Sequence, residues 1–216
     1  MKIALLGAES TGKTQLAHEL AMHLQSLGKT AAVVPEYLRE WCEREGRTPR
    51  PEEQLGIAQE QERRVDAAAQ SAQVVIADTT ALMVAIYSAM LFEDGSLYQF
   101  ALERQRGYDL TLVTGLDLPW VADGLQRDGP HVREPVDALV RQMLGAAGIA
   151  YRVVYGTGPD RLAAALLAID PLLGTGSAAR SGGGDAATTS RWTWSCEKCG
   201  DPECEHRLFS ELVKKR

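Results

Sequence analysis

Apolar residues fall along the chain in two alternating rhythms. Short runs recur at Ile3 to Leu6, Ala31 to Val34, Val74 to Ala77, Leu110 to Thr114 and Tyr151 to Tyr155, and the stretches between them place apolar side chains three and four residues apart. Runs such as Val74-Val75-Ile76 have no polar face, which suits strands covered on both sides, and the wider spacing suits helices laid over them. Helices are predicted over 13–27, 37–45, 51–72, 80–92, 97–105, 134–147 and 159–172, the first marked by Leu16, Leu20, Leu24 and Leu27 on one stripe and closed at Gly28. Parallel strands need long crossovers, so this alternation predicts an α/β fold, a three-layer sandwich around a parallel sheet.

The pattern stops after residue 173. From 174 to 190 the chain is small and polar, with too little apolar area to offset the entropy of ordering it, and it reads as a flexible linker. Residues 191–216 regain Trp192, Trp194, Leu208 and Phe209 beside Cys196, Cys199, Cys204 and His206, and form a Cys/His-rich C-terminal extension. The expected organisation is therefore a P-loop domain over 1–173, the linker, and this small element. At 216 residues one core suffices for the main domain.

The first apolar run leads directly into Gly7-Ala8-Glu9-Ser10-Thr11-Gly12-Lys13-Thr14, which satisfies G-x-x-x-x-G-K-[ST] between a strand and an amphipathic helix. In that setting backbone N–H groups from Gly7 to Thr14 curl around phosphate oxygens, and the glycines allow the tight path. The Lys13 ammonium reaches the outer phosphates, and the Thr14 hydroxyl is placed for Mg²⁺. ATP and Mg²⁺ are the expected cofactors.

Ligands of open parallel sheets gather beyond the carboxyl ends of the strands, so acids there are candidates. Asp78 follows Val74 to Ala77 as a Walker B acid would, next to Thr14; the competing reading is a helix N-cap. Glu36 follows Val33-Val34-Pro35, where it faces an acceptor or merely opens a helix. Either carboxylate could accept a hydroxyl proton, and sequence does not rank them. Residues 117–133 look like a lid whose Arg127 and Arg133 neutralise charge on a transferring phosphoryl group, or else an ordinary surface loop. Gly156 and Gly158 either let the backbone approach an adenine or form a plain strand-to-helix turn with Pro159 at its first position.

With Glu36-Tyr37-Leu38-Arg39-Glu40, Asp78-Thr79-Thr80 and Asp117-Leu118-Pro119-Trp120-Val121-Ala122-Asp123-Gly124-Leu125-Gln126-Arg127 in the same order, the chain resembles the ribosylnicotinamide kinase domain of the NadR proteins over residues 1–172. That family belongs to the nucleoside-kinase-like P-loop enzymes. The resemblance implies ATP-dependent phosphorylation of the ribose 5′-hydroxyl of ribosylnicotinamide, giving nicotinamide mononucleotide for NAD salvage. It also implies that Glu36, Tyr37, Arg39 and Gln61 line the substrate side, that Asp78 sits at the reacting hydroxyl and Mg²⁺, and that Trp120, Asp123 and Arg127 belong to the closing segment. Two departures stand out. No histidine sits in an H-x-G-H motif, so the adenylyltransferase activity of NadR proteins is not expected, and the lid's Gly-Leu-Arg reads Gly124-Leu125-Gln126-Arg127, displacing the arginine by one.

Charge and cysteines narrow the partners. A net charge of −6 supplies no basic field for nucleic acid or anionic membrane, and no apolar run approaches the roughly 20 residues that span a bilayer. A cytoplasmic enzyme acting on a small-molecule nucleoside is expected, its oligomeric state left open. Cys196-x-x-Cys199 with Cys204-x-His206 offers four soft ligands to a structural Zn²⁺, against a reading in which the tryptophans pack and the thiols stay free. Cys42 reads as a small packed residue. Among rivals, a regulatory GTPase is disfavoured because Thr114-Gly115-Leu116-Asp117 replaces the Asn-Lys-x-Asp that reads guanine. A P-loop ATPase with a regulatory or partner-binding role, or a kinase for another small hydroxyl-bearing metabolite, remains an alternative; a chaperone-like AAA+ machine is least expected.

Overall fold

A computed structural model describes residues 1–121 and 129–174. Among them the strands are β1 (Lys2–Leu6), β2 (Ala31–Val34), β3 (Val74–Asp78), β4 (Leu110–Thr114) and β5 (Arg152–Val154). The helices are α1 (Lys13–Ser26), α2 (Tyr37–Glu45), α3 (Pro51–Ala69), α4 (Ala81–Phe92), α5 (Tyr98–Gln105), α6 (Arg133–Ala146) and α7 (Gly158–Leu173). A single 3₁₀ turn, Pro130–Val132, precedes α6. The strands pair in the order β2-β3-β1-β4-β5, every neighbour parallel.

Alternation along each strand sorts the core into layers. Ile3, Leu5, Ile76 and Leu112 point to the face covered by Leu16, Leu20 and Leu24 of α1 and by Ala165 and Ile169 of α7. Leu6 and Val113 point to the other face, against Ile57 of α3, Leu82 and Ile86 of α4, and Val136, Val140 and Leu144 of α6. Each fully buried Leu or Ile contributes about 1.5–3 kcal/mol relative to exposure, so both layers are held mainly by apolar burial.

This layering fixes where a ligand goes. The chain leaves β1 through α1 on one face of the sheet and leaves the adjacent β3 through α4 on the other, so a crevice opens between their carboxyl ends. The register sets Leu5 opposite Asp78, which brings that carboxylate beside the loop that follows Leu6.

Most boundaries fall within one residue of the sequence expectation, and two places show what sets them. Helix α3 ends at Ala69 rather than 72 because Gln73 and Thr30 exchange hydrogen bonds: Gln73 N–H donates to Thr30 Oγ1 at 2.9 Å, and Thr30 N–H to Gln73 Oε1 at 3.1 Å. That exchange draws the chain into β3. At the far end β3 continues through Asp78, and α4 is capped by Thr80, whose hydroxyl accepts the Leu82 N–H at 3.2 Å. The N-cap role is thereby taken by Thr80, and Asp78 stays in the strand.

Candidate nucleotide site

The loop from Gly7 to Thr14 is shaped by contacts from distant parts of the chain. Gly7 sits at φ +139°, and a Cβ there would lie 2.3 Å from Thr114 Oγ1, so no side chain fits. The Thr114 hydroxyl lies 3.1 Å from Leu6 O and 2.7 Å from Thr11 Oγ1, and the Thr11 hydroxyl donates to Ala8 O at 2.7 Å. From α7, Arg161 donates through Nη2 to Thr11 O at 2.7 Å and through Nη1 to Gly156 O at 2.8 Å and Asp117 Oδ1 at 3.1 Å. Val121 N–H donates to Ser10 Oγ at 2.8 Å, laying the start of the predicted lid along the loop.

Helix α1 then starts behind Gly12, which adopts φ +73° and supplies no side-chain cap, so its first N–H groups face the loop. This is the arrangement in which a helix N-terminus receives an anion. Lys13 Nζ folds over the loop, donating to Gly7 O at 2.9 Å and Ala8 O at 2.8 Å. Burial of the ammonium pushes the Lys13 pKa below the usual lysine value; Glu36 and Asp78 oppose that fall, Arg39 adds to it and Glu9 opposes it. A carboxylate pair facing a desolvated ammonium favours its charged form, and so would phosphate oxygens.

Asp78 is 2% exposed. Its Oδ2 accepts the Thr14 hydroxyl at 2.5 Å, and its Oδ1 is buried without a hydrogen-bond partner among the described residues. A hydroxyl and a carboxylate with an orphaned oxygen form a hard-oxygen set of the kind that Mg²⁺ takes, so the residues present fit that ion. Just beyond, Thr79 adopts φ +80°, a strained conformation for a β-branched residue, with its N–H donating to Leu5 O at 3.1 Å.

A cavity of about 440 Å³ opens from the loop. Glu9, Ser10, Thr11, Gly12, Lys13 and Thr14 wall its phosphate side, with Glu36 and Arg39, whose Nη2 is 3.5 Å from Glu36 Oε2. The remaining wall is largely apolar and comes from α2, the α2–α3 connection, α3 and the end of α4: Leu38, Cys42, Pro49, Gln54, Tyr87 and Phe92. Burial, and secondarily Glu36, push the Cys42 thiol above its usual pKa, so it stays neutral and acts as packing.

Several expected site residues do not line this cavity. Gln61 does not line the cavity: it is 1% exposed, its Oε1 accepts the Tyr37 N–H at 2.8 Å, and its Nε2 donates to Pro35 O at 3.3 Å and Thr79 O at 3.5 Å. It braces the ends of β2 and β3, and so positions Glu36 and Asp78. Tyr37 is likewise off the cavity wall, its ring under the Arg64 guanidinium at 4.3 Å. Arg133 is 8% exposed and donates to Leu116 O at 3.4 Å, tying the start of α6 to the turn after β4. Trp120 is half-buried and does not line the cavity. Both polar groups of Gly156 are engaged, its N–H donating to Asp117 Oδ2 at 2.6 Å, and Gly158 opens α7 ahead of Pro159, which is the turn reading of this loop. Asp123, Arg127, Cys196, Cys199, Cys204 and His206 lie outside the described residues.

Thr114, Asp117 and Arg161 as braces, and Gln54, Tyr87 and Phe92 as wall, were not singled out in the sequence. No helix among the described residues is long and apolar enough to cross a membrane.

Comparison with known proteins agrees with this geometry. A solved NadR protein in complex with NR superposes with a TM-score of 0.65 at 19% identity, covering 84% of this chain and 52% of that one. A NadR protein in complex with NAD and AMP-PNP gives 0.59 at 20%, covering 79% and 48%. Thymidylate kinase from Ehrlichia chaffeensis gives 0.55 at 14%, covering 80% and 98%. These likenesses show the P-loop nucleotide-kinase fold, and the chain spans about half the length of the NadR structures. No curated protein matches the sequence. Residues 2–161 match the AAA domain family AAA_28. The crevice at β1 and β3, the braced phosphate loop and the family match together place the chain in the AAA domain family of P-loop proteins.

Proposed function

We propose that the protein transfers the γ-phosphoryl group of ATP to the 5′-hydroxyl of a ribonucleoside, with ribosylnicotinamide as the acceptor that the sequence motifs fit best. The observation that carries this reading is the shared cavity: Lys13 and Glu36 face the same space that Tyr87, Phe92 and Leu38 enclose. A pure hydrolase needs room for water only, whereas an apolar room opening onto the phosphate loop suits an organic acceptor.

The roles follow from position. Loop N–H groups and Lys13 hold the triphosphate; Thr14 and Asp78 would hold Mg²⁺, which supplies charge that neutralises the phosphate oxygens. Glu36 is on the cavity wall and Asp78 is not, so Glu36 takes the proton of the attacking hydroxyl as the new O–P bond forms and ADP departs. Arg39, 3.5 Å from Glu36, orients that carboxylate. Cytoplasmic location and a structural Zn²⁺ at Cys196, Cys199, Cys204 and His206 belong to the same proposal.

The test is acceptor-dependent ADP release by the purified chain with Mg·ATP and a nucleoside panel, the phosphorylated product being weighed by mass spectrometry. Glu36→Gln is expected to lower kcat by about 10²–10⁴ with little change in Mg·ATP affinity, and Asp78→Asn to raise the Mg²⁺ requirement. ADP release indifferent to every acceptor would return the protein to the ATPase reading.

A further inference from the structure

On α3 the buried stripe reads Gln54, Ile57, Ala58, Gln61, Glu62, Val65, so three polar side chains sit where apolar ones are usual. Two of them are fully engaged. Gln61 makes the three backbone contacts described above, and Glu62 accepts Ala81 N–H at 2.9 Å and the Tyr108 hydroxyl at 3.2 Å, with Arg104 Nε 3.5 Å away. Gln54 differs. It is 2% exposed, and its Oε1 is buried with no hydrogen-bond partner among the described residues. It is also on the wall of the cavity, among Leu38, Cys42, Pro49, Tyr87 and Phe92.

A buried acceptor without a donor is a standing destabilisation that a bound N–H removes. Primary amides carry an acceptor and a donor side by side, so the natural complement of Gln54 is another amide edge. The surrounding aromatic and aliphatic side chains suit a flat ring that carries this edge. A carboxylate in the same place would leave Oε1 unpaired, turning the Gln54 amide over so that Nε2 donates to it, and would bring a charge against a largely apolar wall. Besides Lys13 on the phosphate side, Arg39 is the cation on the described wall, and its guanidinium is held by Glu36.

We propose that Gln54 reads the ring substituent of the acceptor, selecting a heteroaromatic riboside that bears a carboxamide-type N–H donor over one that bears a carboxylate. This rests on the phosphoryl-transfer reading above. A hydrogen bond to Oε1 made only by the N–H-bearing substituent, together with the cost of desolvating the carboxylate, is expected to separate the two by at least about 10-fold in kcat/KM.

The experiment uses the full chain with Mg·ATP and three acceptors that differ at one ring position: the ribosides of nicotinamide, nicotinic acid and unsubstituted pyridine. The expected result is a preference of at least about 10-fold for the carboxamide over both others, carried mainly in KM. Gln54→Met keeps length and removes the amide, and is expected to bring the three acceptors within about 3-fold of one another while Mg·ATP affinity and thermal midpoint mark an intact fold. If that variant does not fold, the wild-type ratio and direct titration of the three ribosides decide the matter. Equal use of all three, or preference for the carboxylate, overturns the role of Gln54 and leaves phosphoryl transfer standing. Acceptor-independent ADP release with all three and with the wider nucleoside panel removes both.

Discussion

Arg161 offers the sharpest test of how the phosphate loop is held. It is 4% exposed, its two terminal nitrogens bind Thr11 O, Gly156 O and the Asp117 carboxylate at 2.7, 2.8 and 3.1 Å, and its Nε has no hydrogen-bond partner among the described residues. Hydrogen bonds from a charged donor contribute about 1.5–3 kcal/mol each in favourable cases, but burying the guanidinium and its orphaned Nε takes back part of that sum. Asp117 is 30% exposed on its side chain and can rehydrate once the arginine is gone. The net loss for Arg161→Leu is therefore set at about 3 kcal/mol, the low end for breaking a buried pair. For a domain of this size that corresponds to a fall of about 6–12 °C in Tm. Because Thr11 O is released, the loop loses its geometry, and Mg·ATP affinity should fall by about 10-fold or more. Arg161→Lys keeps the charge without the planar fork and should recover less than half of each loss. Thermal melts and calorimetric titration with a non-hydrolysable ATP analogue measure both. A Leu variant melting within about 2 °C of the parent, with unchanged nucleotide affinity, would refute the bracing argument.

Two further outcomes are expected. Gly7→Ala puts a Cβ 2.3 Å from Thr114 Oγ1 at a φ of +139°, so nucleotide binding should be lost and stability should fall by about 2 kcal/mol or more, whereas Gly46→Ala, with open space around it, should cost no more than about 1 kcal/mol from its positive φ. In acid, Glu53 is pushed down to about 2, first by the Arg47 guanidinium and then by the Arg50 N–H, and Glu60 to about 2 by Arg63 and Arg64. A folded-state pKa below the unfolded value gives stability that is whole above about pH 4.5 and drains as pH falls toward 2, so Tm should decline across that window, and Glu53→Gln should flatten the decline. An unchanged slope in the variant would count against the Arg47–Glu53 pairing.

Strands and helices were legible because burial on two faces leaves an unbroken apolar run, and burial on one face leaves a three-four rhythm. The phosphate loop was legible because its chemistry is local: glycines, lysine and threonine act within eight residues of one another. What escaped was non-local. Nothing near Arg161 in sequence announces that it reaches Thr11, and the family resemblance that implied a substrate-side Gln61 carried no sign that its amide is engaged by backbone groups of Pro35, Tyr37 and Thr79. A usable signal did exist on α3. Gln54, Gln61 and Glu62 fall on the same helical stripe as Ile57, Ala58 and Val65, and polar residues on an apolar stripe mark either a buried network or a ligand. That Glu36 lines the cavity and Asp78 does not depends on the folded wall, which no spacing rule supplies.

The amino-terminal loop takes its shape from Thr114, Val121 and Arg161, partners 103, 111 and 150 positions downstream. A nascent chain carrying only the first hundred residues thus possesses every letter of the phosphate motif and none of these clamps. The scaffold of the loop is therefore completed only once the segment that delivers Arg161 has been made.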